Sequence, residues 1–497
     1  MKTISKVILG KIFLNPNFNF LKVKQNNTWI NYNHKQLYSN IYHCRSILDN
    51  NNIKKGDRVA YKGKNSLNWI SWNIATNSLG AVWVPMYENQ NIDYCKHIIN
   101  DCDPKLFLTD DISIDIDVNK LNNNVEQKTF YNFDSEFNCI DYDIATLIYT
   151  SGTTGGPKGV MLSNDNILSN VKSIRNRFKD KNNSLSLNIL PWAHIYSQTS
   201  ELYYNIIYGN KMAISSSKEE FLKECREIKP DTLYLVPRIL ELIKEKLQIF
   251  DKPFIKFLLP YILNYILGNN IKTIFLGGAK IQEDTKNFFL ENNIILCEGY
   301  GATETSPIIC VNNLHDARNI NSMGKILDDI IVEIIDNEIQ VSGPNVMMGY
   351  WRNENATQNV LIHRNDRLWY KTGDSGSIDK DGFMYYNGRI NENYKLSNGK
   401  YVDVMNVENI IKKYVNGNFI IYGENLKHNN LITDQHIDVK LLEKINNSLN
   451  TYLRIKEVIY IKPTEFNNFL TPKMSIQRNK LINYVLNNYK NLKQNND

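Results

Sequence analysis

No CxxC pair occurs among the seven cysteines, and their number is odd. That speaks against a disulfide framework and a zinc ribbon, and it fits a reducing compartment. No basic tail or dense Lys/Arg block is present: a net charge of +6 is spread over 497 residues. Nucleic acid is therefore not an expected partner. A mildly basic surface does suit an anionic membrane face or a phosphate-bearing ligand. No stretch reaches the roughly 20 apolar residues that span a bilayer. The N-terminal "MKTISKVILGKIFLNPNF" is interrupted by Lys6 and Lys11 and lacks the apolar core and cleavage site of a signal peptide. The most apolar run, Phe254 to Gly268, is broken by Lys256, Pro260 and Asn264. It predicts a buried or interfacial helix pair that can touch a membrane. The expected location is cytoplasmic, with peripheral membrane contact. No fixed-period repeat is present, and the asparagine runs at 50–52 and 122–124 read as loop filler.

What the chain does contain is an ordinary globular balance, 42% hydrophobic and 22% charged residues, in a length that allows two or three domains. The segment from Asn33 to Gly63 reads as an amphipathic helix, a turn at Lys55–Gly56 and a strand. A helix and the strand Ala81–Pro85 follow. "PKLFLTD", "ATLIYT", "DTLYLVP" and "IKTIFLGGA" are short apolar runs bounded by turn residues, as buried strands are. Strands alternating with helices predict a largely parallel α/β sheet. From about Asn337 the texture changes to short strands with Gly, Asp and Asn turns, and "DKDG" before Phe383 signals a hairpin. A boundary is expected near residues 388–391, leaving about a hundred residues for a small α+β domain.

The densest chemistry lies in "YTSGTTGGPKGV", Tyr149 to Val160, directly after the strand "TLIYT". Glycines let the backbone curl and bring its N–H groups to a ligand. Thr150, Ser151, Gly152, Thr153, Thr154 and Gly155 supply amides and hydroxyls for an anion cradle, and Lys158 adds charge. That combination predicts polyphosphate. It is not a Walker A loop, because Pro157 precedes Lys158 and Gly159 follows it.

This string resembles the phosphate loop of the adenylate-forming (AMP-binding) superfamily, and further segments match that family in its order. They are "LPWAHIYSQT", "LYLVPRILELI", "FLGGAKI", "EGYGATETSP", "GPNVMMGYWRNENAT", "YKTGD" and "GRINENYKLSNGKYV". The resemblance spans about Thr28 to Arg478, and "LPWAHIYSQ", "VPR" and "YKLSNGKYV" look most like the long-chain fatty acid–CoA ligase branch. It implies a large N-terminal domain with parallel sheets and helices, residues 1–388, and a small mobile α+β lid domain, residues 389–497. It implies activation of a fatty acid by ATP to an acyl-adenylate, with Mg²⁺ as cofactor, and thioester formation with CoA.

Residue by residue, the resemblance assigns Gly278, Ala279, Tyr300 and Gly301 to the adenine pocket. Thr303 goes to the α-phosphate and Glu304 to Mg²⁺, for which a hard carboxylate oxygen is suited. Asp374 and Arg389 fall to the ribose, since a carboxylate can accept bonds from both hydroxyls. His194 is placed near the carboxylate and α-phosphate, and Trp192 and Tyr196 either line the acyl pocket or simply pack. Asn391 is the hinge, where relatives usually carry Asp or Lys. Lys395 and the Gly399 loop face the thiol partner. One departure touches catalysis: in "LTPKMSIQRNK" the slot of the family's C-terminal lysine holds Ser475, and Lys473 lies two residues earlier. In an extended segment two positions apart share a side about 7 Å apart, so Lys473 is the candidate. Asn164 is expected to cap the helix that follows it. The alternatives are an acyl-AMP ligase loading a carrier protein, a medium-chain or aryl-CoA ligase, a non-catalytic acyl or nucleotide sensor and, on fold alone, a luciferase-like oxygenase.

Overall fold

The computed structural model describes residues 2–111, 118–123, 139–150, 157–178, 183–247, 250, 255–313, 322–470 and 476–494. Two sheets carry the larger part of the chain. A nine-stranded sheet has the order Lys325–Ile326, Ile308–Val311, Leu296–Gly301, Thr273–Leu276, Thr232–Leu235, Leu185–Asn188, Lys211–Ile214, Asn19–Gln25, Thr28–Asn33. Its inner strands, Leu296–Gly301 through Asn19–Gln25, pair in parallel. A seven-stranded sheet runs Gly349–Tyr350, Lys158–Ser163, Ile144–Thr150, Val82–Met86, Arg58–Lys62, Leu106–Thr109, Lys120–Asn122. It too is parallel in its middle. The runs read as strands are these inner strands. Val82 to Met86 and Leu106 to Thr109 are buried at every position, as strands covered on both faces must be.

The helices His34–Asn50 and Leu67–Ser78 pack on each other and on these sheets. The first is closed by a reciprocal cap between Asn33 and Gln36, which satisfies two otherwise orphaned amides. Trp69 stands edge-on to Trp83 at 5.3 Å and to Trp192 at 5.6 Å, all three fully buried. Each such pair adds about 0.5–1.5 kcal/mol beyond burial. Here Trp192 packs.

Five strands between Ile331 and Arg389 form an antiparallel sheet: Ile331–Ile335, Glu338–Ser342, Arg367–Ile378, Leu361–Arg364 and Met384–Arg389. "DKDG" is its hairpin turn. Asp379 Oδ1 accepts from the amides of Asp381 and Phe383, and Gly382 turns at φ +81°. Beyond residue 393 the chain makes its own mixed three-stranded sheet, Phe419–Tyr422, Asn429–Thr433 and Ile455–Tyr460. Its buried apolar clusters, around Val407 and Ile421 and around Ile432 and Phe466, contain no residue from before Tyr394.

Two expectations are corrected. The run Phe254–Gly268 is not a helix pair among the described residues. It is a 3₁₀ turn, Lys256–Leu258, leading into one short helix, Leu259–Ile266, because Pro260 is tolerated only in the first turn. Leu259 and Leu263 face the core, and Tyr261 and Tyr265 face out. Asn164 is not the cap of the following helix but its first residue. Ser163 does the capping: its Oγ accepts from the Asn166 amide, and Asn166 Oδ1 accepts from the Ser163 amide. Asn164 instead ties two segments together, accepting from the Ile4 amide and donating to the Tyr142 carbonyl.

Candidate active site

The Gly/Ser/Thr stretch is flanked by two antiparallel, paired strands. Thr150 closes one strand, Lys158 opens the next, and the two residues are partnered across the ladder. Ser151, Gly152, Thr153, Thr154 and Gly155 lie outside the described residues. Lys158 Nζ sits 5.3 Å from the centre of the Tyr350 ring, and Tyr350 Oη donates to Glu304 Oε1 at 2.8 Å. Tyr350 therefore contacts a cation with its ring and a carboxylate with its hydroxyl. Burial, then the nearby Glu304 carboxylate, pushes the Tyr350 hydroxyl far above its ordinary range, so it stays a donor. Glu304 lies on the 3₁₀ turn Thr303–Thr305, whose start is fixed by the Ala302 amide donating to Thr305 Oγ1.

A second cluster lies where the five-stranded sheet meets the strand Leu296–Gly301. Tyr300 Oη donates to Asp374 Oδ2 at 2.6 Å. Arg389 Nε stands 3.0 Å from Asp374 Oδ1, and Arg389 Nη1 donates to the Thr372 carbonyl at 2.8 Å. Asp374 and Arg389 are brought together because their strands pair residue for residue. Asp374 Oδ1 is buried and, despite its ion pair, accepts no hydrogen bond within the protein. Burial raises the Asp374 carboxyl to about 6, against the pull of Arg389. Tyr386 stands beside Tyr300, ring centres 5.6 Å apart. Gly301 admits no side chain, since a Cβ there would fall 1.8 Å from the Pro307 carbonyl oxygen.

His194 precedes the helical turn Ile195–Ser197, and its Nδ1 accepts from the Tyr196 amide at 3.1 Å. That bond leaves the neutral ring's proton on Nε2. Tyr196 packs against Gly277, where a Cβ would come 3.0 Å from the ring.

One cavity of about 3110 Å³ joins these groups. Thr150, Lys158 and His194 line it, as do Gly278, Tyr300 and Gly301. Thr303, Glu304 and Arg389 close another part of its wall. Ala279, Lys395 and Gly399 do not line it, and Asp374 reaches it only through Tyr300 and Arg389. From the C-terminal part, Leu470, Ile476, Gln477 and Arg478 contribute. Lys473 and Ser475, in the segment that Leu470 and Ile476 flank, lie outside the described residues, as does the side chain of Asn391. Tyr350 and Thr372 line the cavity and Tyr386 stands behind Tyr300, and motif reading singled out none of the three. Their segments were recognised, but nothing in the string says which tyrosine turns inward.

The residues fit the groups that the chemistry requires. Asp374 Oδ1 is a buried acceptor with room in its bonding, which a sugar hydroxyl would satisfy. No cluster of three or more His, Cys, Asp or Glu that could hold a metal exists among the described residues. Mg²⁺ is commonly held by one or two carboxylates together with substrate phosphates. Glu304 offers one carboxylate in a cavity that Lys158 also lines.

A Gly/Ser/Thr stretch followed by a lysine, a buried carboxylate beside a tyrosine, and two sheets parallel in their middles fit an enzyme that binds a nucleotide. The family model described as "AMP-binding enzyme" matches residues 15–351, and the chain belongs to that family. Among its relatives is long-chain-fatty-acid–CoA ligase FadD15 of Mycobacterium bovis, 26% identical over 420 residues, covering 70% of this chain and 68% of that protein. Another is long-chain-fatty-acid–CoA ligase ACSBG1 of Homo sapiens, 26% identical over 473 residues, covering 79% of this chain but only 64% of the human one. The fold is that of O-succinylbenzoate coenzyme A synthetase (MenE) from Bacillus subtilis in complex with ATP and magnesium ion. The TM-score is 0.79 at 21% identity, over 96% of this chain and 98% of that one. These likenesses place the chain among the AMP-forming acid–CoA ligases, whose reagents are ATP, Mg²⁺ and CoA.

Proposed function

We propose that this chain activates a long-chain fatty acid and passes it to CoA. The observation that carries the chain length is the course of the cavity. Thr232 and Tyr234 on one strand, and Thr273 and Phe275 on the next, are paired in register and all line it. Alternation puts these four on one face, opposite Leu233, Leu235 and Ile274. Ile174 and Phe178, one helical turn apart, line it as well. The cavity thus follows the strands from Gly277 to their far ends, roughly 13 Å for four residues. A short or single-ring acid would leave much of that length unfilled.

In the first step a carboxylate oxygen attacks the α-phosphorus of ATP. A P–O bond to the acid forms, the bond to the β-phosphate oxygen breaks, and pyrophosphate leaves with its electron pair. Lys158 and the loop amides would offset charge on the phosphoryl oxygens, and Thr303 would bond the α-phosphate. Glu304, held by Tyr350, would carry Mg²⁺, whose role is to neutralise phosphate charge. Gly278, Tyr300 and Gly301 would form the adenine pocket, with Ala279 behind them, and Asp374 with Arg389 would hold the ribose. His194 would present its Nε2–H near the acyl carboxylate, and Lys473 would bridge that carboxylate and the phosphate. In the second step the CoA thiolate displaces AMP at the acyl carbon.

The division into residues 1–388 and 389–497, with Asn391 as hinge, belongs to the same reading. It is supported by the separate apolar clusters on either side and by the 3₁₀ turn Ile390–Glu392. Rotation about that turn would bring Lys395 and Gly399 to the thiol. The test is product analysis with ATP, Mg²⁺ and CoA across acids of two to twenty carbons. Palmitoyl-CoA and its neighbours are expected. Products confined to aryl or short acids, or to a carrier-protein thiol, would refute the assignment.

A further inference from the structure

Two hydroxyls in the acyl branch of the cavity are buried and unmatched. Tyr196 and Ser200 both line it, and Tyr196 Oη and Ser200 Oγ have no hydrogen-bond partner in the protein. Tyr196 is 6% exposed and Ser200 2%. They stand four residues apart on a continuous helical stretch, Ile195–Ser197 followed by the π-helical Gln198–Tyr203. That spacing separates them by one turn, roughly 6 Å along the axis. Burial, and then the Glu201 charge, keeps the tyrosine protonated and therefore a donor.

Gln198 Oε1 and Thr199 Oγ1, between them on the same stretch, also lack a partner in the protein but do not line the cavity, whereas Glu201 is satisfied. Glu201, fully buried one residue on, accepts from Asn188, Ser197 and Ser186 at 2.6, 3.0 and 3.5 Å. The two lining hydroxyls differ from that inward network in facing the ligand space. A purely methylene chain packed against them would leave both unpaired, at about 1–3 kcal/mol each.

We propose that Tyr196 and Ser200 form a subsite for an oxygen carried by the acid itself, so that the preferred substrate is a hydroxy- or oxo-substituted acyl chain rather than a plain one. The oxygen lies in the part of the chain nearest the carboxyl, because Tyr196 packs on Gly277, beside the Gly278 end of the cavity. This rests on the ligase reading and refines its substrate.

The experiment is acyl-CoA formation by the full chain with hexadecanoate and its 3-hydroxy, 6-hydroxy and 16-hydroxy derivatives, in wild type, Tyr196→Phe and Ser200→Ala. One of the first two hydroxy acids is expected to exceed hexadecanoate in kcat/KM by tenfold or more, and the 16-hydroxy acid is not. Each substitution should reduce that ratio at least threefold, with hexadecanoate turnover rising in Tyr196→Phe. Because the ratio is taken within one preparation, a partly unfolded variant does not disturb it. Equal or lower kcat/KM for the 3- and 6-hydroxy acids while palmitoyl-CoA is made overturns the subsite and leaves the ligase standing. A preference that both variants retain overturns the assignment to these residues. No thioester from any acid overturns the ligase reading and the subsite with it.

Discussion

Asp374 concentrates the electrostatics of the site in one side chain. It is 4% exposed, faces Arg389 and Tyr300, and its carboxyl is raised from 3.8 to about 6 by burial. Between those two values the folded state binds more protons than the unfolded one, so stability falls as pH rises from about 4 to about 6 and is level above. Ribose recognition needs the carboxylate, so it runs the other way. The apparent affinity for ATP should drop as pH falls through about 6, and Asp374→Asn should flatten that profile while raising the KM for ATP roughly tenfold or more. A KM profile from pH 5 to 8 checks both. Tyr350→Phe removes the bond to Glu304 and leaves the ring beside Lys158. Hydrogen bonds to charged groups contribute about 1.5–3 kcal/mol, so kcat for adenylation should fall roughly ten- to hundredfold with little change in ATP affinity. An unchanged kcat would remove Tyr350 from the site.

The elements that hold these residues depend on a few buried polar ties. Lys286 and Glu298 form an ion pair at 2.8 Å with 1% and 2% of their side chains exposed. Glu298 Oε1 also accepts from the Ile281 amide, which anchors the Gly277–Ile281 turn to the strand that ends in Tyr300 and Gly301. Lys286→Met leaves a buried carboxylate uncompensated and should cost about 3–5 kcal/mol, whereas the double change with Glu298→Leu should recover most of it. Denaturant midpoints of the three proteins decide this. The inner strands were legible at this scale because burial on both faces writes itself as an apolar run; Gly301 was assigned by resemblance alone, and its steric reason, the nearby Pro307 carbonyl, shows only in the fold. The N-terminal helix Ile4–Leu14 was not: Ile4, Ile8 and Ile12 are its buried stripe, but Lys6 and Lys11 on its other side blurred the period. The cap at Ser163 was misassigned to Asn164 because both residue types cap helices, and only tertiary contacts to Ile4 and Tyr142 decide between them. Tyr350 was illegible for a similar reason, since pairing of Gly349–Tyr350 with Val160 and Met161 is what turns it to Glu304.

For the molecule as a whole, the reading requires two half-reactions with two arrangements of the C-terminal part. Arg478 shows how firmly that part holds itself: it donates to Glu408 at 2.7 Å and to the Ile421 carbonyl at 2.8 Å, while lining the cavity. Asn391→Pro, which stiffens the turn between the two parts, should leave pyrophosphate release intact and abolish thioester formation. Loss of both would make residue 391 structural. Among the described residues no helix is long and apolar enough to cross a membrane. Phe257, Tyr261 and Tyr265 are 68%, 74% and 56% exposed on and beside one short helix, in the manner of interfacial aromatics. Flotation with anionic liposomes should carry the protein upward, and replacing the three by serine should leave it at the bottom. Wild-type protein that stays at the bottom would remove membrane contact from the reading. The most direct test is pyrophosphate release from ATP by the full chain, with and without palmitate and without CoA, in wild type and Lys473→Ala. The ligase reading predicts palmitate-dependent release that the substitution abolishes. No release with palmitate, its hydroxylated forms or any other acid, from protein that binds ATP, would contradict it.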